Sequence, residues 1–384
     1  MYRHSVFRSA TALLVLAIAA QPALSACDGS LHRKPSVAKN SAPPTPVGLT
    51  ITPTAGDAGS PISAEIGLKV NDGKITNVAL TDPAGQPVAG APRDDGSSWV
   101  PATALRYGTA YTVKVTAVGV DGKPVTKTST FTTAAKPTGP QINSDLMLTN
   151  GGTYGVAMPI VVDFGSDVPP ESRAAVQQRL FVTSDPPQPG AWRWFSGHEV
   201  MYRPENYWKP GTKITARKAL NGVPIGNGHT DEDLTATITI GRKLTVDIDN
   251  NTKQMTVFQN DQPIRTIPVS LGKDSTPSSS GTTVIMSRES ATVFRTSEYT
   301  AAVQYAERLT WGGQYIHAAP WSVGDQGVRN VSHGCTNVST DNGRWLYESL
   351  LVGDPVTTRN TGTPLDPGDG WTAWDMSWAD YTKA

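Results

Sequence analysis

The chain has 384 residues, in which 33 lysines and arginines balance 33 aspartates and glutamates, so the formal net charge is zero. A balanced charge gives no sign of a basic surface for nucleic acid, and we expect no nucleic-acid partner. The length is sufficient for two or three domains with ordinary hydrophobic cores. Only two cysteines occur, Cys27 and Cys335.

The first 26 residues have the layout of a secretory signal peptide. Basic residues precede an apolar core over residues 10–20, which ends before Pro22 and is too short to span a bilayer. The segment that follows resembles the bacterial lipobox: Leu24-Ser25-Ala26-Cys27. That resemblance implies that Cys27 is lipidated and anchors an extracytoplasmic protein to the cell membrane, facing the cell wall. The alternative is an ordinary signal peptide with an incidental cysteine.

Residues 27–46 are polar and rich in proline, which predicts a flexible spacer after the anchor. No later stretch is apolar enough to cross a bilayer. If Cys27 carries lipid, Cys335 is left unpaired in an oxidising compartment. An unpaired cysteine in an exported protein is a candidate reactive thiol.

Two modules of similar length follow, over residues 47–138 and 139–241. Apolar and polar residues alternate, and turn residues separate the runs, which is typical of a β-sandwich. In each module an aromatic residue and a Gly-Thr turn lead into a strand, so we interpret the modules as tandem immunoglobulin-like domains. Residues 170–180 predict a short helix.

The second module contains an aromatic cluster with two possible roles: Trp192, Trp194, Phe195 and Trp208. We interpret the cluster as core and inter-domain packing, with a sugar-stacking platform as the alternative. From residue 242 to 361, longer hairpins predict a third, β-rich domain. Residues 362–384 form a tail rich in tryptophan, which we expect to pack on the third domain. A partner-binding surface is the other possibility for the tail.

The third domain carries the residues that suggest chemistry. It contains Cys335 together with His317 and His333, two of the six histidines in the chain. A thiol needs a nearby base or positive charge to become a thiolate at neutral pH, and histidine commonly supplies it. Gly334 allows a tight bend before the cysteine, so that backbone N–H groups can converge on an oxyanion.

These residues resemble the signature of the L,D-transpeptidase (YkuD-type) catalytic domain. His317 is followed, after a loop, by the diagnostic run Ser332-His333-Gly334-Cys335-Thr336-Asn337. An upstream block also resembles that family: Ser270-Leu271-Gly272-Lys273, with Ser275-Thr276-Pro277 and Gly281. Two immunoglobulin-like modules before the domain and a tryptophan-rich tail after it are similar to the mycobacterial and actinobacterial branch of the family.

The resemblance implies a role for each matching residue. Cys335 is implied as the nucleophile and His317 as the general base and acid. Gly334 and Cys335 are implied as backbone oxyanion donors, and Ser332 and His333 as residues that shape the site. The implied substrate contacts are Tyr299, Gly312, Gly313, Trp321 and Asn337, with Trp321 on a loop that partly covers the site.

Two positions depart from the family pattern. The family usually has serine directly after the first histidine, where this chain has Ala318. We expect activity to survive, because the orienting acceptor there is implied to be the backbone carbonyl. Some relatives bind calcium through acidic residues between the second module and the catalytic domain. The matching stretch, residues 224–228, lacks carboxylates, so we expect no calcium there, and we expect no other metal and no cofactor.

The activity implied is 3→3 cross-linking of peptidoglycan. The thiolate attacks a tetrapeptide stem, D-Ala leaves, and the side-chain amine of a neighbouring stem resolves the thioester. Carbapenem β-lactams are implied as covalent inhibitors. An L,D-carboxypeptidase, in which water resolves the same thioester, and a non-catalytic envelope-binding protein remain alternatives. For the histidines and Cys335, a zinc site or a buried structural cysteine are the competing interpretations.

Overall fold

A computed structural model describes residues 47–93, 96–295 and 300–383. The fold is mainly β, as predicted. The signal segment, Cys27, the spacer and Tyr299 lie outside the described residues. Within the described residues, no helix has both the length and the apolar character needed to cross a membrane.

The first module is a sandwich of a four-stranded sheet, in the order β1-β3-β7-β6, and a five-stranded sheet, in the order β2-β9-β8-β4-β5. Its strands are β1 (Gly48–Thr52), β2 (Ala58–Ser60), β3 (Ile66–Asn71), β4 (Gly73–Thr81), β5 (Pro87–Val88), β6 (Gly90–Pro92), β7 (Ser98–Pro101), β8 (Ala110–Gly119) and β9 (Pro124–Thr133). In β8 the alternate residues Tyr111, Val113 and Val115 are buried. Side chains of a strand point to opposite faces in turn, so the alternation in the sequence places these three in the core.

The second module has two four-stranded sheets, in the orders β11-β13-β16-β15 and β12-β20-β17-β14, and a small sheet β10-β19-β18. Its elements are β10 (Gln141–Ile142), β11 (Ser144–Leu146), β12 (Thr153–Tyr154), β13 (Ile160–Phe164), α1 (Pro170–Gln177), β14 (Leu180–Asp185), β15 (Gly190–Trp194), β16 (Glu199–Pro204), β17 (Lys213–Ala219), β18 (Pro224–Ile225), β19 (Gly228–Thr230) and β20 (Asp233–Ile240). The predicted helix at residues 170–180 is therefore present as α1. The aromatic cluster belongs to the module's core, where Trp208 is buried and the other three members pack against it.

The third domain contains two sheets, in the orders β23-β22-β21-β29-β24 and β25-β26-β27-β28. Its elements are β21 (Leu244–Asp249), β22 (Gln254–Gln259), β23 (Gln262–Pro268), β24 (Gly281–Val284), β25 (Ser287–Arg295), β26 (Thr300–Arg308), β27 (Tyr315–Ala318), a 3₁₀ helix (Pro320–Ser322), β28 (Thr336–Val338), α2 (Thr340–Ser349) and β29 (Pro355–Arg359). Helix α2 begins after Ser339, whose hydroxyl accepts the Asn342 N–H and caps the first turn. The helix buries Leu346 in the core between the sheets.

The second module and the third domain share a bonded backbone contact. The Gly155 N–H donates to the Val352 carbonyl at 2.8 Å, and the Ala157 N–H donates to the Gly353 carbonyl at 2.9 Å. A Cβ added at Gly155 would stand 2.2 Å from the Asp354 nitrogen, so only glycine permits this approach. The contact fixes the second module directly against the third domain.

The tail folds as a second 3₁₀ helix (Ala373–Asp375) and a short helix α3 (Trp378–Tyr381). It packs on the third domain, where the Leu365 N–H donates to the Ser280 carbonyl at 2.8 Å and Asp375 accepts the Thr282 N–H at 2.7 Å, and it also packs on the second module. The Tyr381 hydroxyl donates to the Met201 carbonyl at 2.7 Å, and Trp374 Nε1 donates to the Ala157 carbonyl at 2.7 Å.

A buried arginine of β16 holds the tail against the second module. The Arg203 guanidinium donates to the carbonyls of Ala373 and Met376, at 2.9 Å each. It also stacks over the rings of Trp374 and Tyr381. Because a buried guanidinium needs acceptors for its N–H groups, it fixes the tail against β16. The aromatic composition of the tail indicated burial, but it carried no information about which surface would supply the partner.

Candidate active site

Two parallel strands bring the predicted catalytic pair together. β27 pairs with β28, with His317 opposite Asn337 and Ile316 opposite Thr336. Neighbouring strands lie roughly 4.8 Å apart, so Cys335, which directly precedes β28, comes beside the end of β27. His317 and Cys335 line one cavity of about 390 Å³. The structure therefore places together two residues that are 18 positions apart in the sequence.

The imidazole of His317 is held by the main chain. Its Nδ1 lies 2.9 Å from the Ala318 carbonyl oxygen, and since that oxygen only accepts, Nδ1 carries the proton and donates. Nε2 is then the basic nitrogen. The expectation that a backbone carbonyl at position 318 orients the ring, without the usual serine, is confirmed. Burial lowers the pKa of His317, and the bond to Ala318 opposes that shift, so the ring is neutral at pH 7.

The thiol of Cys335 is buried, with 7% of the residue exposed. Its Sγ donates to the Gly313 carbonyl oxygen at 3.6 Å. Burial raises the pKa of Cys335 to about 11, although a backbone hydrogen bond at Tyr315 acts in the opposite direction. The sequence suggested a thiolate stabilised by histidine. The structure instead has a neutral thiol and a neutral imidazole at rest, because both groups are removed from water.

The turn before the nucleophile is closed by a serine. Ser332 Oγ donates to the Cys335 carbonyl at 2.6 Å and accepts the Gly334 N–H at 3.1 Å. Gly334 has φ +116°, a conformation that favours glycine. The site-shaping role of Ser332 therefore has a direct structural basis. The expected role of Gly334 as an oxyanion donor does not hold in this conformation, because its N–H is already bonded to the serine.

A second serine, which was not predicted from the sequence, also holds this turn through its hydroxyl. Ser278 Oγ donates to the Gly334 carbonyl at 2.7 Å and accepts the Gly272 N–H at 3.0 Å. Thr276 Oγ1 donates to the Ser332 carbonyl at 3.2 Å. The upstream block that includes Gly272 and Thr276 thus serves as a platform under the cysteine turn. Its hydroxyl-rich composition was the available signal.

The mouth of the cavity is partly covered by an aromatic side chain. Trp321, on the 3₁₀ helix after β27, is 62% exposed, and its ring centroid lies 6.1 Å from that of His317. Phe294 of β25 packs edge-on against His317 at 5.4 Å. His333 is exposed at the rim, with its Nε2 3.1 Å from Lys273 Nζ. Phe294 was not predicted, since only the folding of the β25–β26 hairpin brings it to the site.

The other predicted contacts differ in what they touch. Asn337 is buried, and its Nδ2 donates to Ser322 Oγ at 3.1 Å, although the residue also lines the cavity. Gly313 presents its carbonyl to the thiol. Gly312 donates its N–H to Asp369 of the tail at 2.6 Å. Tyr299, as noted, lies outside the described part of the chain.

The zinc interpretation finds no support in the geometry. Across the described ranges, no group of three or more histidine, cysteine, aspartate or glutamate side chains is placed to hold a metal ion. His317 Nδ1 is bonded to a carbonyl and His333 is at the exposed rim. What the site offers is a buried thiol, a neutral imidazole with a free basic nitrogen, and a water-restricted cavity. That combination suits nucleophilic acyl transfer.

Family models and known proteins point the same way. Residues 57–224 match a model described as a bacterial Ig domain, and residues 243–357 match a model described as the L,D-transpeptidase catalytic domain. The first match extends across parts of both β modules. The second contains His317 and Cys335.

Two relatives from Mycobacterium tuberculosis are similar over most of the chain. L,D-transpeptidase 2 of strain CDC 1551 / Oshkosh is 35% identical over 347 residues, which cover 87% of this chain and 83% of the relative. L,D-transpeptidase 5 of strain ATCC 25618 / H37Rv is 34% identical over 389 residues, covering 98% and 84%. A solved structure of an L,D-transpeptidase in complex with imipenem is 33% identical, with a TM-score of 0.48, and covers 57% of this chain and 99% of the solved one.

Proposed function

The chain belongs to the L,D-transpeptidase family, and from this premise we propose that it forms 3→3 cross-links in peptidoglycan through a thioester on Cys335. The observation that carries the proposal is the placement of the Cys335 thiol and the His317 imidazole in one cavity. The donor is a tetrapeptide stem, and the acceptor is the side-chain amine of the diamino acid in a neighbouring stem.

In the first step, Cys335 Sγ attacks the carbonyl carbon between the third residue of the stem and its terminal D-Ala. Because the thiol is neutral at rest, its proton passes to His317 Nε2 as the S–C bond forms. The charge that develops on the carbonyl oxygen requires hydrogen-bond donors, and we assign one of these to the Cys335 N–H. The intermediate then collapses, the C–N bond breaks, and His317 returns the proton to the departing D-Ala amine.

In the second step, the acceptor amine attacks the thioester carbonyl. His317 takes the amine's proton and delivers it to the leaving sulfur, so that an amide forms and the thiol is regenerated. The energy of the peptide bond that was broken is retained in the thioester, so the reaction needs no nucleotide. If water attacks the thioester in place of the amine, the stem is released without D-Ala, and the enzyme acts as an L,D-carboxypeptidase.

A carbapenem tests the first step. We expect the protein to gain the mass of the drug when it is incubated with imipenem, because the strained lactam carbonyl stands in for the stem carbonyl. The C335A variant removes the nucleophile and should remain unmodified, whereas C27A should be modified like the parent. An adduct that persists on C335A would overturn the assignment of the nucleophile.

A disaccharide-tetrapeptide tests the second step. Cross-linking gives a dimer that has lost one D-Ala, whereas hydrolysis gives a monomer that has lost D-Ala, and the two products differ in mass. Predominant dimer supports the transpeptidase. Monomer alone would identify a carboxypeptidase, and an unchanged substrate would favour the non-catalytic envelope-binding protein.

We also propose that the mature protein is anchored by lipid at Cys27, on the outer side of the cell membrane. The lipobox sequence supports this proposal, and the β modules would carry the catalytic domain from the membrane into the wall. Metabolic labelling with a fatty acid in a bacterial host should label the parent and not C27A. Equal labelling of both forms, or of neither, would contradict the anchor.

A further inference from the structure

Two aspartates of the tail make the same kind of bond at different places on the third domain. Asp369 Oδ1 accepts the Gly312 N–H at 2.6 Å, and Asp375 Oδ1 accepts the Thr282 N–H at 2.7 Å. Thr282 lies on β24, in the sheet that does not carry the nucleophile. Gly312 is next to Gly313, whose carbonyl accepts the thiol of Cys335. Only one of the two bonds therefore reaches the active site.

The turn that contains Gly313 is fixed from several directions. Within the turn, the Gly313 N–H donates to the Thr310 carbonyl at 3.3 Å and the Gln314 N–H donates to Thr310 Oγ1 at 3.1 Å. Arg308 holds the far side, donating to the carbonyls of Thr310 and Trp311 at 3.0 Å each. The tail binds this turn at the Gly312 N–H, which donates to Asp369. Gly313 has φ +94°, so its carbonyl direction depends on how the turn is held.

The tail is seated closely against this turn. A Cβ added at Gly312 would stand 2.9 Å from the Asp369 carboxylate, and one added at Gly370 would stand 2.6 Å from the Leu309 carbonyl oxygen. Each segment thus places a glycine at the contact, where a larger residue would meet the other segment. Asp369 is half-buried there, which strengthens its hydrogen bond relative to one in water.

We propose that Asp369 is a positioning residue for the nucleophile. Its carboxylate holds the Gly312 N–H and with it the turn, and the Gly313 carbonyl in turn holds the resting Cys335 thiol in place in the cavity that it shares with His317. The inference rests on the proposed function, since it assigns a part in that acylation step to a residue of the tail. The tail then completes the active site as well as joining the domains.

The test compares D369A, D369N and D375A in the full-length protein. Alanine at 369 removes the acceptor, and losing a hydrogen bond to a charged group corresponds to about tenfold in rate when it acts on the transition state. We expect the rate constant of acylation by imipenem to fall about tenfold in D369A, with little change in the concentration for half-maximal rate. D369N keeps an acceptor oxygen and should recover most of the rate.

D375A is the matched control, because it removes the same type of bond from the same tail at a distance from the site. We expect it to acylate at the parental rate, even if its melting temperature falls as much as that of D369A. A second readout is alkylation of Cys335 by iodoacetamide at pH 7. This reaction should become faster in D369A, because a thiol released from the Gly313 carbonyl is more exposed to water, and should be unchanged in D375A.

Parental acylation and alkylation rates in D369A would overturn the inference. Equal slowing in D369A and D375A would overturn it as well, since the effect would then reflect docking of the tail in general. If the parent protein is not acylated at all, the proposed function has failed, and the alkylation rates alone decide the role of Asp369. Faster alkylation confined to D369A would still support the positioning role.

Discussion

The first and second β modules have the same general architecture but different relations to the rest of the chain. Among the described residues, the core cluster of the first module contains residues of that module alone. The core of the second module continues into other parts of the chain, including Val284 and Met286 of the third domain and Trp371 and Tyr381 of the tail. The second module is therefore part of the folding unit of the enzyme, whereas the first is an attachment to it.

The junction between the two modules and the junction between the second module and the third domain differ in their chemistry. Between the modules, Glu65 of the first accepts from Arg179 Nη1 of the second at 2.8 Å. Arg93, which donates to Glu65 at 2.7 Å within the first module, also donates to the Gln178 carbonyl of the second. Between the second module and the rest, a shared apolar core and backbone hydrogen bonds are joined by the buried Arg203 of β16, a strand in which every residue is buried. Successive side chains of a strand face opposite ways, so β16 must be covered on both sides. A polar junction permits separation, but an apolar one does not.

Truncation should separate the two junctions most clearly. A chain beginning at residue 139 should remain folded and be acylated by imipenem at the parental rate. A chain beginning at residue 242 should aggregate or lose activity, because it exposes the tail's aromatic residues and the apolar groups beneath them. Circular dichroism and acylation kinetics measure both outcomes. Full activity in the shorter chain would mean that the third domain folds alone and that the shared core is dispensable.

Substitution of two buried tyrosines tests the same difference between the first and second modules. Y381A should destabilise the protein by about 3–5 kcal/mol, as loss of a large buried aromatic side chain does, and should lower the temperature at which acylation activity is lost. Y111A removes a comparably buried ring from the first module, so it should unfold that module and leave acylation unchanged. Loss of activity in Y111A would contradict the independence of the first module.

Removing the charge at the junction between the modules should have a smaller effect. Burial opposes ionisation of Glu65, but hydrogen bonds from Arg93 and Ser98 and the charges of both arginines lower its pKa below the ordinary value. Its stabilising contribution is present above the unfolded-state pKa and is lost as pH falls through the folded one. E65Q should therefore cost about 2 kcal/mol at pH 7, and this cost should shrink as the pH falls below the unfolded-state pKa, in thermal melts followed by circular dichroism. A destabilisation by E65Q of equal size at pH 7 and at low pH would exclude an ionic role for Glu65.

Glu199 should show the opposite dependence on pH from Glu65. Its effect on stability should be smaller than those of the truncations, the tyrosine variants and E65Q. It lies on β16, and burial, followed by the charge of Asp163, raises its pKa to about 7, while Trp311 opposes that shift. The folded state then holds a proton that the unfolded state releases, so stability falls as pH rises from about 4.5 through 7. E199Q should raise the melting temperature by a few degrees at pH 8 and leave it unchanged near pH 4. If E199Q stabilises the protein equally at pH 4 and pH 8, the raised pKa of Glu199 is not the cause.

The sequence predicted much of the fold and the central pair of the site for physical reasons. Alternating patterns specify strands locally, so the sandwich modules and the hairpins of the third domain were accessible. Cys335 and His317 could be identified because a specific run of residues surrounds the thiol. The order in which strands pair and the surface on which the tail packs were not accessible, because both depend on contacts between distant segments.

The protonation state of the pair depends on burial as well as on the residues present. A thiolate was expected from the presence of histidine, but the balance between charge and burial depends on how much water the fold removes. Ser278 and Asp369 were missed for a related reason. Ser278 bonds to the Gly334 carbonyl and Asp369 to the Gly312 N–H, both far away in sequence, and neither a serine nor an aspartate stands out by composition.

The bond from His317 to the Ala318 carbonyl has an evolutionary consequence. Every codon at position 318 encodes a residue with that oxygen, so no missense change there deletes the acceptor that sets the tautomer. Only a change that moves the backbone itself can therefore remove this bond. Bulk at position 318 is restrained separately, since an added Cβ at the adjoining Gly343 would stand 3.1 Å from the Ala318 Cβ.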